Sequence, residues 1–129
     1  MQVPLESFED IKLLVDSFYE KVRQNTLLAP LFEEKIQDRW GEHLIKMYAF
    51  WETLLLENHT YFGSPFAPHA DLKVEKIHFD TWLKLFKETV DEHFIGDKAE
   101  DAKIRAERMA EMFFSKIEYY RKTSNKPLF

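Results

Sequence analysis

The chain contains no cysteine. That excludes disulfides, thiolate zinc sites, iron–sulfur clusters, cysteine nucleophiles and haem attached through thioethers. Only three of the 129 residues are glycine, so there is little material for tight hairpins or for glycine-rich loops that cradle phosphates. Long apolar runs are missing too. No stretch reaches the roughly 18 residues of a membrane span, and the N-terminal Met-Gln-Val-Pro-Leu-Glu-Ser has neither the charged nor the apolar region of a secretion signal. Basic charge is in deficit, 18 Lys and Arg against 23 Asp and Glu, which argues against a nucleic-acid-binding face. These absences lead to the expectation of a cytoplasmic protein with no membrane or nucleic-acid partner.

What is present is aromatic and periodic. Twelve Phe, five Tyr and three Trp give a chain of this length ample material for one core, so residues 1–129 read as a single domain with its body over about 8–120 and a frayed tail over 123–129. A helix is expected after Ser7, whose pairing with Asp10 resembles a capping box although Glu or Gln is the usual partner. Phe8, Ile11, Leu14, Val15, Phe18 and Val22 recur at helical steps, and Tyr19 borders that stripe with a hydroxyl that needs a partner. Asn25-Thr26 ends the helix, and Leu27 to Phe32 reads as a short apolar connection of one or two helical turns.

The second long helix is expected from an Asp38 N-cap to Glu57, with Trp40, His43, Leu44, Met47, Phe50, Trp51, Leu54 and Leu55 on one face. A loop follows, punctuated by Asn58, Gly63, Ser64, Pro65 and Pro68. The third helix runs from about Val74 to Phe94 on a stripe of Ile77, Trp82, Leu85, Phe86, Thr89 and Val90, with Phe79, Leu83 and Phe94 beside it and Gly96 as its stop. The fourth runs from an Asp97 N-cap to about Lys122 on Ala102, Ala106, Met109, Met112, Phe113, Ile117 and Tyr120. No strand pattern competes, so the fold class is all-α. Its core is either self-filling or wrapped around a cofactor.

Two histidines bear on that choice. His43 sits inside an apolar stripe, and His69 is boxed in by Pro65, Phe66, Pro68 and Leu72 in a stiff connection. Each is compatible with plain packing: a satisfied core histidine, or a loop histidine. A carboxylate-bridged di-iron bundle fits poorly, because Glu75-x-x-His78 is the sole Glu-x-x-His pair. A His-Glu-x-x-His zinc helix is absent. A haem pocket asks for one well-held histidine, many large apolar residues, and a few buried donors on the opposite side. His69, the aromatic stripes, and Tyr19, His43 and Trp82 would supply these. The residues permit haem without selecting it, and a cofactor-free helical interaction module remains the alternative.

Selection comes from a resemblance. Phe-Tyr-Glu-Lys-Val-Arg (18–23), Pro-Leu-Phe (30–32), Trp-Gly-Glu-His (40–43), Phe-Trp (50–51), Gly-Ser-Pro-Phe-Ala-Pro-His-Ala-Asp-Leu (63–72) and His-Phe-Asp-Thr-Trp-Leu-Lys-Leu-Phe (78–86) follow one another as in the truncated haemoglobins. The succession is most similar to the third group of that family, and the double-glycine motifs of the first two groups are lacking.

The resemblance implies an abridged globin fold, a two-over-two helical sandwich holding noncovalent haem b. His69 matches the proximal iron ligand. Tyr19, Trp82 and His43 match distal residues, and Met47 one turn beyond His43 would face the same cavity. Phe32, Phe50, Trp51, Phe66 and Phe79 would pack on the haem. Arg39, Lys46, Lys73 and Lys76 are candidates to meet its propionates. The gas partners implied are dioxygen, nitric oxide or carbon monoxide. Oxygen chemistry is favoured over bulk transport, whether nitric oxide dioxygenation, peroxide chemistry or sensing, and turnover would call on an external reductase.

Overall fold

The computed structural model describes residues 2–69 and 72–124. Its order is β1 (Val3–Pro4), α1 (Phe8–Gln24), α2 (Ala29–Ile36), α3 (Trp40–Leu56), a 3-10 turn (Ala67–His69), α4 (Lys76–His93), β2 (Phe94–Ile95) and α5 (Asp97–Ser124). α1 packs on α3 and α4, and α4 packs on α5. This is the two-over-two arrangement of an abridged globin.

α1 begins as its sequence suggests. Ser7 Oγ accepts from Asp10 N at 3.3 Å, and the Asp10 carboxylate accepts from Ser7 N at 3.0 Å, so the shorter acid closes a full capping box. Ile11, Leu14, Val15, Phe18, Tyr19 and Val22 are buried, whereas Phe8, at the first turn, remains 41% exposed with its ring edge-on to Tyr48. Asn25 ends α1, and its side-chain oxygen accepts from Leu27 N and Leu28 N, which turns the chain into α2. The apolar connection is therefore longer in helix than expected, because Pro30 occupies the first turn of α2, where a missing N–H costs nothing.

α3 begins at Trp40, and Asp38 is not its cap. Gln37 has a left-handed φ of 57°, and the Arg39 guanidinium donates to Ile36 O and Lys35 O, so the turn is held by the end of α2. α4 starts two residues later than expected, on a reciprocal cap in which Glu75 N donates to His78 Nδ1 at 2.9 Å. It buries Phe86, Thr89 and Val90, and Ile77 is 56% exposed rather than in the stripe.

Three further expectations are corrected. Phe94–Ile95 leaves α4 as a strand and pairs in parallel with Val3–Pro4, so the otherwise all-α fold carries a two-residue β bridge. An isolated two-residue pairing has no alternation to read, which is why no strand pattern was visible. Gly96 follows with φ 107°, a conformation that glycine adopts without a Cβ penalty, and α5 starts directly after it. α5 buries Ala99, Ala102, Ala106, Ala110, Phe113 and Ile117, while Met112 and Tyr120 stay 45% and 48% exposed. Met112 lies about 100° round the helix from Phe113, off the buried stripe. α5 extends to Ser124, past the expected fraying point, and 125–129 of the expected tail lie outside the described residues.

Candidate functional site

Three helices bring polar-tipped aromatic residues together. Tyr19 on α1 and His43 on α3 meet ring to ring, with centroids 5.0 Å apart and planes at 87°. Trp40 and Phe32 close the same cluster against Tyr19 at 5.9 and 6.0 Å. Phe18, next to Tyr19 in sequence, reaches across to Trp82 on α4 at 5.4 Å. Trp82 stacks on Phe86, which stacks in turn on Trp51, at 5.7 and 4.8 Å. Phe50 packs edge-on against Trp51, and Met47 packs half-buried on the same core. The Tyr19, Phe32 and His43 cluster and the Trp82, Trp51 and Phe50 stack are thus joined through Phe18 and Phe86.

The polar atoms of this wall are short of partners. His43 Nε2 is buried and makes no hydrogen bond among the described residues. Among the described residues no hydrogen bond is formed by the Tyr19 hydroxyl or the Trp82 indole N–H. Burial pushes the Tyr19 phenol well above its ordinary value, so it stays a protonated donor. Burial, with smaller contributions from repulsion by His69 and Lys46, lowers His43 to about 4, which keeps its ring neutral near pH 7. Tyr19 and Trp40 also line a surface groove of about 420 Å³ that contains neither histidine.

His69 stands apart from that wall at the end of the 3-10 turn. Its Nδ1 lies 2.7 Å from Pro65 O. A carbonyl only accepts, so Nδ1 carries the proton and donates, leaving the Nε2 lone pair available to a metal. Its backbone N donates to Phe66 O at 2.7 Å. Burial lowers its pKa, the Pro65 hydrogen bond opposes that shift, and Lys35 adds to it. Phe66 and His69 both lean on α5, with Phe113 centroids 5.4 and 4.8 Å away. Phe79 pairs with Phe114 of α5 at 5.8 Å and touches neither cluster by ring contact.

Reasoning from residue types missed several of the groups that hold this geometry. Pro65 acts through its carbonyl and not only through stiffness, and any residue can supply a carbonyl. Phe113 has the periodicity of ordinary α5 core, yet it touches His69. Among the propionate candidates, Arg39 is engaged at the end of α2 and Lys76 pairs with Asp80 at 3.0 Å. Lys46, one turn from His43, has no such partner among the described residues.

A neutral histidine with a directed lone pair, and apart from it a wall that holds an orphaned buried imidazole nitrogen and two uncommitted donors, fit a metal ligand and a binding pocket. A flat, apolar, metal-bearing group such as haem is compatible with these residues.

Comparison with known proteins agrees. Residues 7–116 match the bacterial-like globin family. Over 86 residues the chain is 40% identical to the group 3 truncated haemoglobin ctb of Campylobacter jejuni, spanning 64% of this chain and 68% of that protein. The crystal structure of a group III truncated haemoglobin from Campylobacter jejuni superposes with a TM-score of 0.83 at 32% identity, covering 91% of this chain and 95% of that one. By sequence and by fold, the chain belongs to the bacterial-like globins, as a truncated haemoglobin of the third group.

Proposed function

We propose that this chain holds haem b noncovalently, with His69 as its axial ligand and Tyr19, Trp82 and His43 on the gas side. We further propose that it serves oxygen or nitric oxide chemistry or gas sensing rather than bulk transport. Globin membership implies the coarser part, haem-based binding of a diatomic gas. The observation that carries the finer reading is His43 Nε2, buried and without a partner. In a self-filled helical module that atom would cost about 1–3 kcal/mol with nothing in return.

Haem, when bound, would supply an iron that a protein histidine holds and that a diatomic gas can bind. His69 presents Nε2 because its Nδ1–H is committed to Pro65 O. The Tyr19 O–H and Trp82 N–H are donors carried by rings packed in the aromatic cluster, suited to a ligand that gathers negative charge, as dioxygen does. Each such bond contributes about 1 kcal/mol, a several-fold slower release. Slow release suits reaction or sensing better than carriage. Phe32, Met47, Phe50, Trp51, Phe66 and Phe79 would supply apolar surface, and Lys46 a cation for a propionate. Nitric oxide dioxygenation joins nitric oxide, dioxygen and one electron into nitrate, so turnover by this route needs an external electron donor.

Absorbance tests the reading. Haem-reconstituted protein is expected to show a Soret band that His69→Ala loses and added imidazole restores. A colourless protein that stays folded after haem supplementation overturns the proposal in favour of the cofactor-free module. Nitrate formed when the ferrous protein in air meets nitric oxide, with a reductant present, supports the dioxygenase reading over sensing.

A further inference from the structure

We propose that the C-terminal half of α5 positions the axial histidine, with Phe113 and Arg121 as positioning residues for His69. This rests on the haem reading above.

The 3-10 turn at His69 is three residues long, too short to orient an imidazole ring by its own regularity. Its fastening comes from α5, on both sides of the histidine. On the N-terminal side, the Phe66 ring stacks on Tyr120 at 5.9 Å and 20°, meets Phe113 at 5.4 Å, and lies under Lys116 Nζ at 5.0 Å. Phe66 O in turn accepts from His69 N. On the C-terminal side, His69 O accepts from Leu72 N at 3.1 Å, and two residues further on Arg121 donates to Val74 O and to the Glu75 carboxylate, the latter at 3.5 Å. Between these ends, Phe113 touches the His69 ring itself at 4.8 Å, tilted by 43°.

Phe113, Tyr120 and Arg121 recur over two turns of one helix, so a single rigid element holds the ring and both flanks. The arginine contact is charge-assisted, and Val74 is 3% exposed, so removing the guanidinium leaves a buried carbonyl poorly satisfied. Glu75 is also the N-cap of α4, the helix that carries Trp82. Arg121 therefore secures the junction between the histidine side and the gas side. The strength of a metal–histidine bond depends on how outer partners hold the ring, which is the property these contacts control.

The test uses the full haem-loaded chain in its ferrous, gas-free form. Resonance Raman reads the iron–histidine stretching band, and transfer to excess apo-globin reads haem loss. Phe113→Leu and Arg121→Ala are expected to shift or broaden the band and to speed haem loss roughly tenfold. Arg121→Lys, which keeps the charge, is expected to restore part of both. Lys103→Ala removes the contacts of Lys103 with Asp91 and Glu100, near the other end of α5, and is expected to leave the band unchanged. A lower unfolding temperature with wild-type band and wild-type haem loss in both Phe113→Leu and Arg121→Ala overturns the proposal and makes α5 a structural support only. Should Arg121→Ala fail to fold, Phe113→Leu and Arg121→Lys decide by the same two readouts. A band absent from the wild type, or present in His69→Ala, overturns the underlying haem reading instead, and this proposal with it.

Discussion

The two sides of the proposed pocket are made by different means. The gas side is regular secondary structure: Tyr19 on α1, His43 on α3 and Trp82 on α4 interlock through the buried rings of Phe18 and Phe86. The histidine side is one short turn after a proline-rich loop, held by backbone hydrogen bonds and by a helix that comes much later in the chain. Side chains on packed helices inherit their precision from the core. A loop residue has to be given its precision by neighbours. The difference predicts that damage on the gas side changes stability and ligand kinetics together, whereas damage on the histidine side changes coordination while the helices stay folded.

The largest effect to look for is in His69→Ala. Axial ligation is expected to vanish while far-UV circular dichroism keeps its helical signal, because the ring's one aromatic contact, with Phe113, adds little to the buried stripe of α5. Collapse of the helical signal would break the contrast between the two sides. Next is Phe86→Ala. This side chain is 1% exposed and stacks on both Trp51 and Trp82, so its truncation should cost about 3–5 kcal/mol, read as a lower urea midpoint. A loss below about 1 kcal/mol would mean that the gas side is less dependent on the core than its packing indicates.

Smaller effects test the donors. Tyr19→Phe and Trp82→Phe should each speed oxygen dissociation by about fivefold, measured by stopped flow after displacement with carbon monoxide. Unchanged or slower rates in both variants refute the donor role. The smallest effect is a pH dependence of the haem-free protein. His43 is lowered to about 4 in the fold, chiefly by burial, and returns to about 6.5 when unfolded. Between those values the unfolded chain binds a proton that the folded chain refuses, so stability falls as pH falls. The slope is at most about 1.4 kcal/mol per pH unit for one such group. His69, also lowered, adds a slope of the same sign. Urea midpoints at pH 7 and pH 5 should differ less in His43→Leu than in the wild type. An undiminished difference places the titration elsewhere.

The same contrast explains what was legible beforehand. α1 could be read almost to the residue, because a cap, a stripe and an asparagine stop all act within the helix they delimit. The face of α3 that carries His43 was legible for the same reason, while its start was not, since Arg39 and Gln37 answer to the end of α2. The bridge between Val3–Pro4 and Phe94–Ile95 joins segments far apart in the chain, and nothing local announces it. His69 and Tyr19 stood out as residue types. Their surroundings did not: the orphaned Nε2 of His43, the bond from His69 to Pro65 O and the ring of Phe113 appear only after folding.

The sequence by itself determined that the chain is helical, that its aromatic residues line shared faces, and that its order of short motifs is that of a truncated haemoglobin of the third group. Each of these is a property of neighbours along the chain or of their succession. Tertiary structure alone decided which nitrogen of His69 is free, that the buried Nε2 of His43 lacks a partner among the described residues, and that α5 grips the His69 turn. Those depend on atoms brought together from distant positions, where hydrogen-bond direction and burial set the chemistry of each group.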